Sequence, residues 1–227
     1  MQPYFVPYIG YWQLIEEVDL LVVSDDTKYT KQSWINRNII WINGERRYLT
    51  LPIEKHSDNS KILDRQIAES FDSNEMWRKI LHDYKKCENT QVEELVRTII
   101  YFQEKNLVKF LLNSIYQIMD YLDISTEVIL ASELDIPTKL IRQERIFHVA
   151  SRIGMNNYTN LPGGQFLYSH EEFQSHDLNL EFVVPKLSPY KTRINTFYPS
   201  LSILDLLFQA EGKDEINRQI KDYSVAE

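Results

Sequence analysis

Residues able to do chemistry crowd the first forty positions of this 227-residue sequence. Gln2, Tyr4, Tyr8, Tyr11, Trp12 and Gln13 place rings and amides within a few residues of each other. Such rings stack on a base or a sugar, while phenols and amides supply hydrogen bonds. Burial of large aromatic area in a core explains the same residues equally well. Asp25 and Asp26 follow, directly after the apolar run Leu20-Leu21-Val22-Val23. Carboxylates at such a strand end take the place of a base, a metal ligand or a hydroxyl acceptor, although turns and caps also use them. Next come Lys28, Tyr29, Lys31, Gln32, Trp34, Asn36, Arg37 and Asn38, which combine phosphate-binding charge with stacking and amide groups. Arg37, flanked by two asparagines, suits a planar oxyanion, whereas Lys28 and Lys31 also fit a solvated loop.

Far along the chain, Leu161-Pro162-Gly163-Gly164-Gln165 reads as a loop without internal secondary structure. Paired glycines allow unusual backbone angles or close approaches, so the loop could offer N–H groups to an anion and Gln165 to a carbonyl. A plain connecting turn is the competing reading. The sequence holds no glycine-rich phosphate loop, dinucleotide fingerprint, Cys-x-x-Cys pair or His-Glu-x-x-His element. No metal site is expected, and the cofactor is left open. The five histidines are scattered, and Cys87 lacks a positioned base, so an inert thiol is expected there.

The elements that must hold these residues can be read from the pattern. Gln2 to Pro7 predicts a short strand, then a turn and a helix ending near Glu17; Leu20 to Val23 is a strand buried on both faces. The opening is therefore expected to be β-α-β, with Tyr8 to Gly10 and Ser24 to Asp26 near the carboxyl ends of parallel strands. Asn43-Gly44 between β-type runs predicts a hairpin. Apolar spacing of three and four from about Asn74 to Leu122 predicts three helices. A strand at Glu127 to Ala131, a helix from Arg142 to Ile153 stopped by Gly154, a strand at Leu180 to Val184 and a helix capped by Ser202 complete the expectation. The predicted fold class is α/β: a mainly parallel, Rossmann-like sheet flanked by helices, with a helical section mid-chain, in a single domain over 1–227.

Composition narrows the function classes. A net charge of -8 spread along the chain argues against a broad nucleic-acid surface or attraction to an anionic membrane. The apolar runs are too short to span a bilayer. One cysteine and the lack of a charged-then-apolar leader predict a cytoplasmic protein.

The opening Gln2-Pro3-Tyr4-Phe5-Val6-Pro7-Tyr8-Ile9-Gly10-Tyr11-Trp12-Gln13-Leu14-Ile15 closely resembles the start of WbqC-like proteins. Val18-Asp19 with Asp25-Asp26, Lys31 through Trp34-Ile35-Asn36-Arg37-Asn38, and Leu49-Thr50-Leu51-Pro52 continue the likeness. Ser132-Glu133-Leu134, Gly163-Gly164-Gln165 with Tyr168, and Pro199 to Asp205 extend it over nearly the whole chain. The resemblance implies a place in O-antigen, lipopolysaccharide or capsule biosynthesis, and a transferase that moves an acyl or aminoacyl group onto a nucleotide-linked or otherwise activated amino sugar. Under that reading Asp25 or Asp26 is the base and Gln165 orients the acyl carbonyl. Gln2, Tyr4, Tyr8, Gly10, Lys31, Trp34, Arg37, Asn38, Gly163 and Gly164 hold the substrate. Tyr8-Ile9-Gly10-Tyr11 is also similar to the His-x-Gly-His element of adenylyl-transferring enzymes, but a phenol cannot supply their imidazolium. A non-catalytic sugar-nucleotide-binding or assembly protein, and a nucleotidyl transferase with an altered motif, remain the alternatives.

Overall fold

The computed structural model of the chain describes residues 1–194 and 196–227. Its elements begin with α1 (Ile9–Glu17), β1 (Leu20–Val23), β2 (Arg37–Ile42) and β3 (Glu45–Thr50). The helical section follows as α2 (Ser73–Tyr84), α3 (Thr90–Ile100) and α4 (Leu107–Leu122). The remainder is β4 (Glu127–Leu130), α5 (Arg142–Ile153), β5 (Asn157–Asn160), α6 (His170–Ser175), β6 (Asn179–Pro185), α7 (Ile203–Gln209), α8 (Lys213–Ile220) and β7 (Tyr223–Ala226).

Short polar side chains start many of these helices by accepting from otherwise unpaired N–H groups. Asp72 caps α2, Asn89 caps α3, Asn106 caps α4 and Ser202 caps α7. Gly154 ends α5 in the left-handed conformation that its missing Cβ allows. Asn43 and Gly44 both take positive φ, 57° and 72°, as a two-residue hairpin between β2 and β3 requires. The three central helices bury most of the predicted stripe: Trp77, Ile80, Tyr84, Leu95, Ile99, Leu107, Phe110, Leu111, Ile115 and Ile118 are buried, whereas Leu81 is half-buried and Phe102, past the end of α3, is exposed. They share one large core with α1, α7 and the hairpin, while Ala150, Phe173, Leu178, Leu180 and Phe182 form a second, smaller cluster.

The strands form three small sheets instead of one large parallel sheet. β1 pairs with β4 in parallel, β2 with β3 antiparallel, and β5-β6-β7 combines a parallel and an antiparallel pair. The protein is thus mixed α/β.

Two local expectations are corrected. Residues 2–7 form no strand, because Pro3 and Pro7 lack ladder donors and Val6 takes φ 38°, outside the extended region. That strained residue is held through its carbonyl, which accepts from Asn38 Nδ2 at 3.1 Å and Ser202 Oγ at 2.6 Å. The Pro162–Leu167 stretch is a 3₁₀ helix rather than an unstructured loop, since Pro162 near its start presets a helical φ. Neither Gly163 nor Gly164 has a positive φ.

Candidate functional site

β1 and β4 run in the same direction, so their carboxyl ends open at one edge, where ligands of α/β proteins usually bind. Asp25 follows β1 and Ser132 follows β4. The buried Asp25 carboxylate accepts from the Ser132 N–H at 3.0 Å and from its hydroxyl at 2.6 Å. That pair clamps the two strand ends together. Hydrogen bonds to a charged acceptor contribute about 1.5–3 kcal/mol each, so Ser132→Ala should lower unfolding stability by about that much in urea titration. An unchanged urea midpoint would show that the clamp carries no stability.

Asp26 turns the other way and pairs with Arg145 in the first turns of α5 at 2.5 Å, with both side chains mostly buried. Gln2 reaches the same edge, donating from Nε2 to Thr27 Oγ1 at 3.4 Å. Met1 lies beside them: its α-amine donates to the Val22 carbonyl at 2.7 Å, and its carbonyl accepts from Ser24 N–H at 2.8 Å. Burial, and then the Arg145 charge, lower that amine to about 5. Below this edge lies a cleft of about 640 Å³ between β1 on one side and α5 and β5 on the other; Arg145, Asn160 and Tyr168 all line it.

The aromatic residues of the opening are largely committed to the fold. Tyr11 is fully buried, packs against Tyr4 with the rings tilted and their centroids 5.5 Å apart, and donates to the Gln2 carbonyl at 3.0 Å. Tyr8 folds over Gly10: a Cβ there would lie 2.6 Å from the Tyr8 ring, so a larger residue would push that ring aside. Burial raises the Tyr4 and Tyr8 phenols above the ordinary tyrosine value, keeping both neutral. Asn38 is buried, and its amide donates to the Phe5 and Val6 carbonyls, which fixes the path of the N-terminal segment.

A second group of predicted residues gathers on the surface instead. Trp34 and Tyr48 are exposed with ring centroids 6.3 Å apart, and the Arg37 guanidinium lies 4.1 Å over the Tyr48 ring. Arg37 also donates to the Gln32 carbonyl. Lys31 forms an exposed ion pair with Asp58 at 2.5 Å, which holds that carboxyl below the usual range. Gln165, Gly163 and Gly164 lie in the 3₁₀ helix, next to Tyr168 of the cleft wall. Cys87 is buried and its thiol is pushed up by that burial, which fits the inert role read for it.

Sequence reading had not singled out Arg145 or Thr27. Arg145 carries a usable signal, because it sits in the first turns of the helix that follows β4, where a crossover helix approaches the strand ends.

The model of the WbqC-like protein family matches residues 2–218, a span that holds Gln2, Asp25, Asp26, Ser132 and Arg145. The chain belongs to the WbqC-like protein family. It is 28% identical over 221 residues to the uncharacterized protein Rv1507c of Mycobacterium tuberculosis (strain ATCC 25618 / H37Rv), covering 94% of each chain. No solved structure matches it. Among the described residues of this WbqC-like chain, no helix is long and apolar enough to cross a membrane.

Proposed function

We propose that this WbqC-like protein is a cytoplasmic transferase that moves an acyl or aminoacyl group onto the amine of a nucleotide-linked or otherwise activated amino sugar in surface-polysaccharide biosynthesis. The observation that supports it most is the division of labour between two adjacent carboxylates at a parallel strand end. Asp25 is taken up by Ser132 and acts as a positioning residue. Asp26 is held by Arg145, which lines the cleft, and serves as the base. The acceptor amine attacks the acyl carbonyl carbon and a C–N bond forms. The bond to the donor's leaving group then breaks, with its electron pair going to that group, and the amine proton passes to Asp26. Gln2 and Tyr4 contact the sugar, and Gln165 with Gly163 and Gly164 orients the carbonyl. Trp34, Lys31 and Arg37 receive the nucleotide diphosphate on the neighbouring surface. The whole chain acts as one domain with a Rossmann-like plan.

A non-catalytic sugar-nucleotide-binding role is the second reading, favoured by the fact that Arg145 already neutralises Asp26. Incubation with a panel of nucleotide-linked amino sugars and acyl donors, read by mass spectrometry, separates the two. The transferase reading expects product with the wild type and at least a hundredfold slower turnover in Asp26→Asn with binding largely kept. Wild-type turnover in that variant removes Asp26 as the base; saturable binding with no product from any pair supports the second reading.

A further inference from the structure

Helix α5 is amphipathic, yet most of its apolar face stays uncovered. Ile146, Val149, Ala150 and Ile153 recur at three and four and share one side of the helix; all line the cleft, and only Ala150 is buried. Across from them β1 offers Leu20 and Val22, half-buried where Leu21 and Val23 are in the core. The cleft follows the four residues of β1, so the two apolar stripes run side by side for about 10–13 Å.

At the carboxyl end of β5 the α5 stripe meets a polar cluster. Tyr158 and Asn160 lie on the face of β5 that packs with α5, since Tyr158 shares the small core with Ile146 and Ala150. Asn160 Nδ2 donates to the Tyr158 oxygen at 2.9 Å and to the Tyr168 oxygen at 3.1 Å, and the two phenol oxygens are 3.3 Å apart. Asn160 Oδ1 accepts from the Leu161 N–H at 2.8 Å, which fixes the orientation of the amide. The cluster therefore holds more protons than acceptors. One phenol proton fills the bond between Tyr158 and Tyr168, and the other has no acceptor among the described residues. Burial pushes the Tyr158 phenol well above the ordinary tyrosine value and keeps it a donor. Gln143 Oε1 accepts from the Ser169 N–H at 3.4 Å, which sets the first turn of α5 beside this cluster. There Arg142 lines the cleft with no hydrogen-bond or ion-pair partner among the described residues. The acidic side chains of the lining are elsewhere: Glu17 and Asp19 precede β1, and Glu181, in register with Thr159, shares the opposite face of β5 and β6.

We propose that the cleft binds an aliphatic acyl chain of about eight carbons, with its carbonyl oxygen at the spare phenol proton, the negative charge of its head group at Arg142 and its tail between Val149 and Val22. A cavity of about 640 Å³ has the size that encloses a small organic ligand and leaves room for part of an acyl carrier. Tyr168 adjoins the 3₁₀ helix that carries Gln165, so the carbonyl lies beside the residues assigned to orient it. On the transferase reading, on which this step rests, the transferred group is a medium-length aliphatic acyl group and not an aminoacyl one, because an α-ammonium next to the carbonyl would be set against Arg142 and Arg145.

The test titrates the full chain with sodium butanoate, hexanoate, octanoate and dodecanoate and follows the amide chemical shifts. Affinity is expected to rise at least about fivefold for each two carbons up to octanoate and to level off before dodecanoate, with the largest shifts at Val149 and Tyr168. In Arg142→Ala octanoate is expected to bind at least about fivefold more weakly. No shift at millimolar octanoate, equal affinity for all four acids, a rise that continues to dodecanoate, or unchanged octanoate affinity in Arg142→Ala overturns the proposal. Octanoate binding with no octanoyl transfer to any amino sugar upholds the ligand of the cleft and removes the transferase reading. Aminoacyl transfer without octanoate binding removes the ligand and leaves the transferase.

Discussion

Replacing Asp205 with alanine should lower unfolding stability by about 4 kcal/mol, the largest loss expected from any single polar substitution here. Asp205 is fully buried at the start of α7, and its two carboxylate oxygens accept from Tyr84 at 2.7 Å and Tyr190 at 2.5 Å. Tyr84 closes the network: its oxygen accepts from the Trp41 N–H of β2 at 3.3 Å and its ring stacks on Phe208 at 5.0 Å. One carboxylate therefore ties α7, α2, the hairpin and the segment around Tyr190 together. Burial first, and the Asp205 charge second, push both phenols far above the ordinary tyrosine value, so both remain donors throughout the working pH range. Alanine strands two buried phenols at once, and each charged hydrogen bond is worth about 1.5–3 kcal/mol. Tyr84→Phe and Tyr190→Phe should each cost about that smaller amount, with the losses coupled in the double variant. Urea titrations of the wild type and the four variants measure this, and a loss below about 1 kcal/mol for Asp205→Ala would remove the network as a source of stability.

Stability of the chain with a free Met1 amine should rise between pH 5 and pH 8. The amine is lowered from 8.0 to about 5 in the folded state, by burial and then by Arg145. Within that window the unfolded chain binds the extra proton and the folded chain does not, so raising the pH favours folding. The contribution is complete above the unfolded value and is lost as pH falls toward the folded one. Three units correspond to roughly 4 kcal/mol at most. Comparing urea midpoints across pH 5 to 8.5 for the free and Nα-acetylated proteins isolates this group from the histidines, since acetylation removes only the amine's slope. Identical slopes would mean that the amine is solvated.

Both effects depend on contacts that no local spacing announces. The periodicity of the central helices, the Asn43-Gly44 turn, the Ser202 cap and the Gly154 stop were legible in the sequence, because each depends on interactions within a few residues. The family was legible too, from motifs spread along the chain. Legibility failed where local preference met a non-local partner. The β-type residues from Gln2 to Pro7 read as a strand, yet that segment runs between Asn38 and Ser202, which hold Val6 in a conformation its side chain disfavours. Gly163 and Gly164 read as part of a loop without internal secondary structure and instead lie in a 3₁₀ helix.

The sequence by itself determined the central helices, the hairpin and the strands β1, β4 and β6, and which residues carry charge and rings near the N-terminus. Only the tertiary structure decided how Asp25 and Asp26 differ. One meets Ser132 across 107 positions and the other meets Arg145 across 119. Tertiary structure also divided the strands among three sheets, with a cleft between two of them. Helices and turns are set by neighbours in the chain, whereas strand pairing and carboxylate partners are set by packing among distant segments.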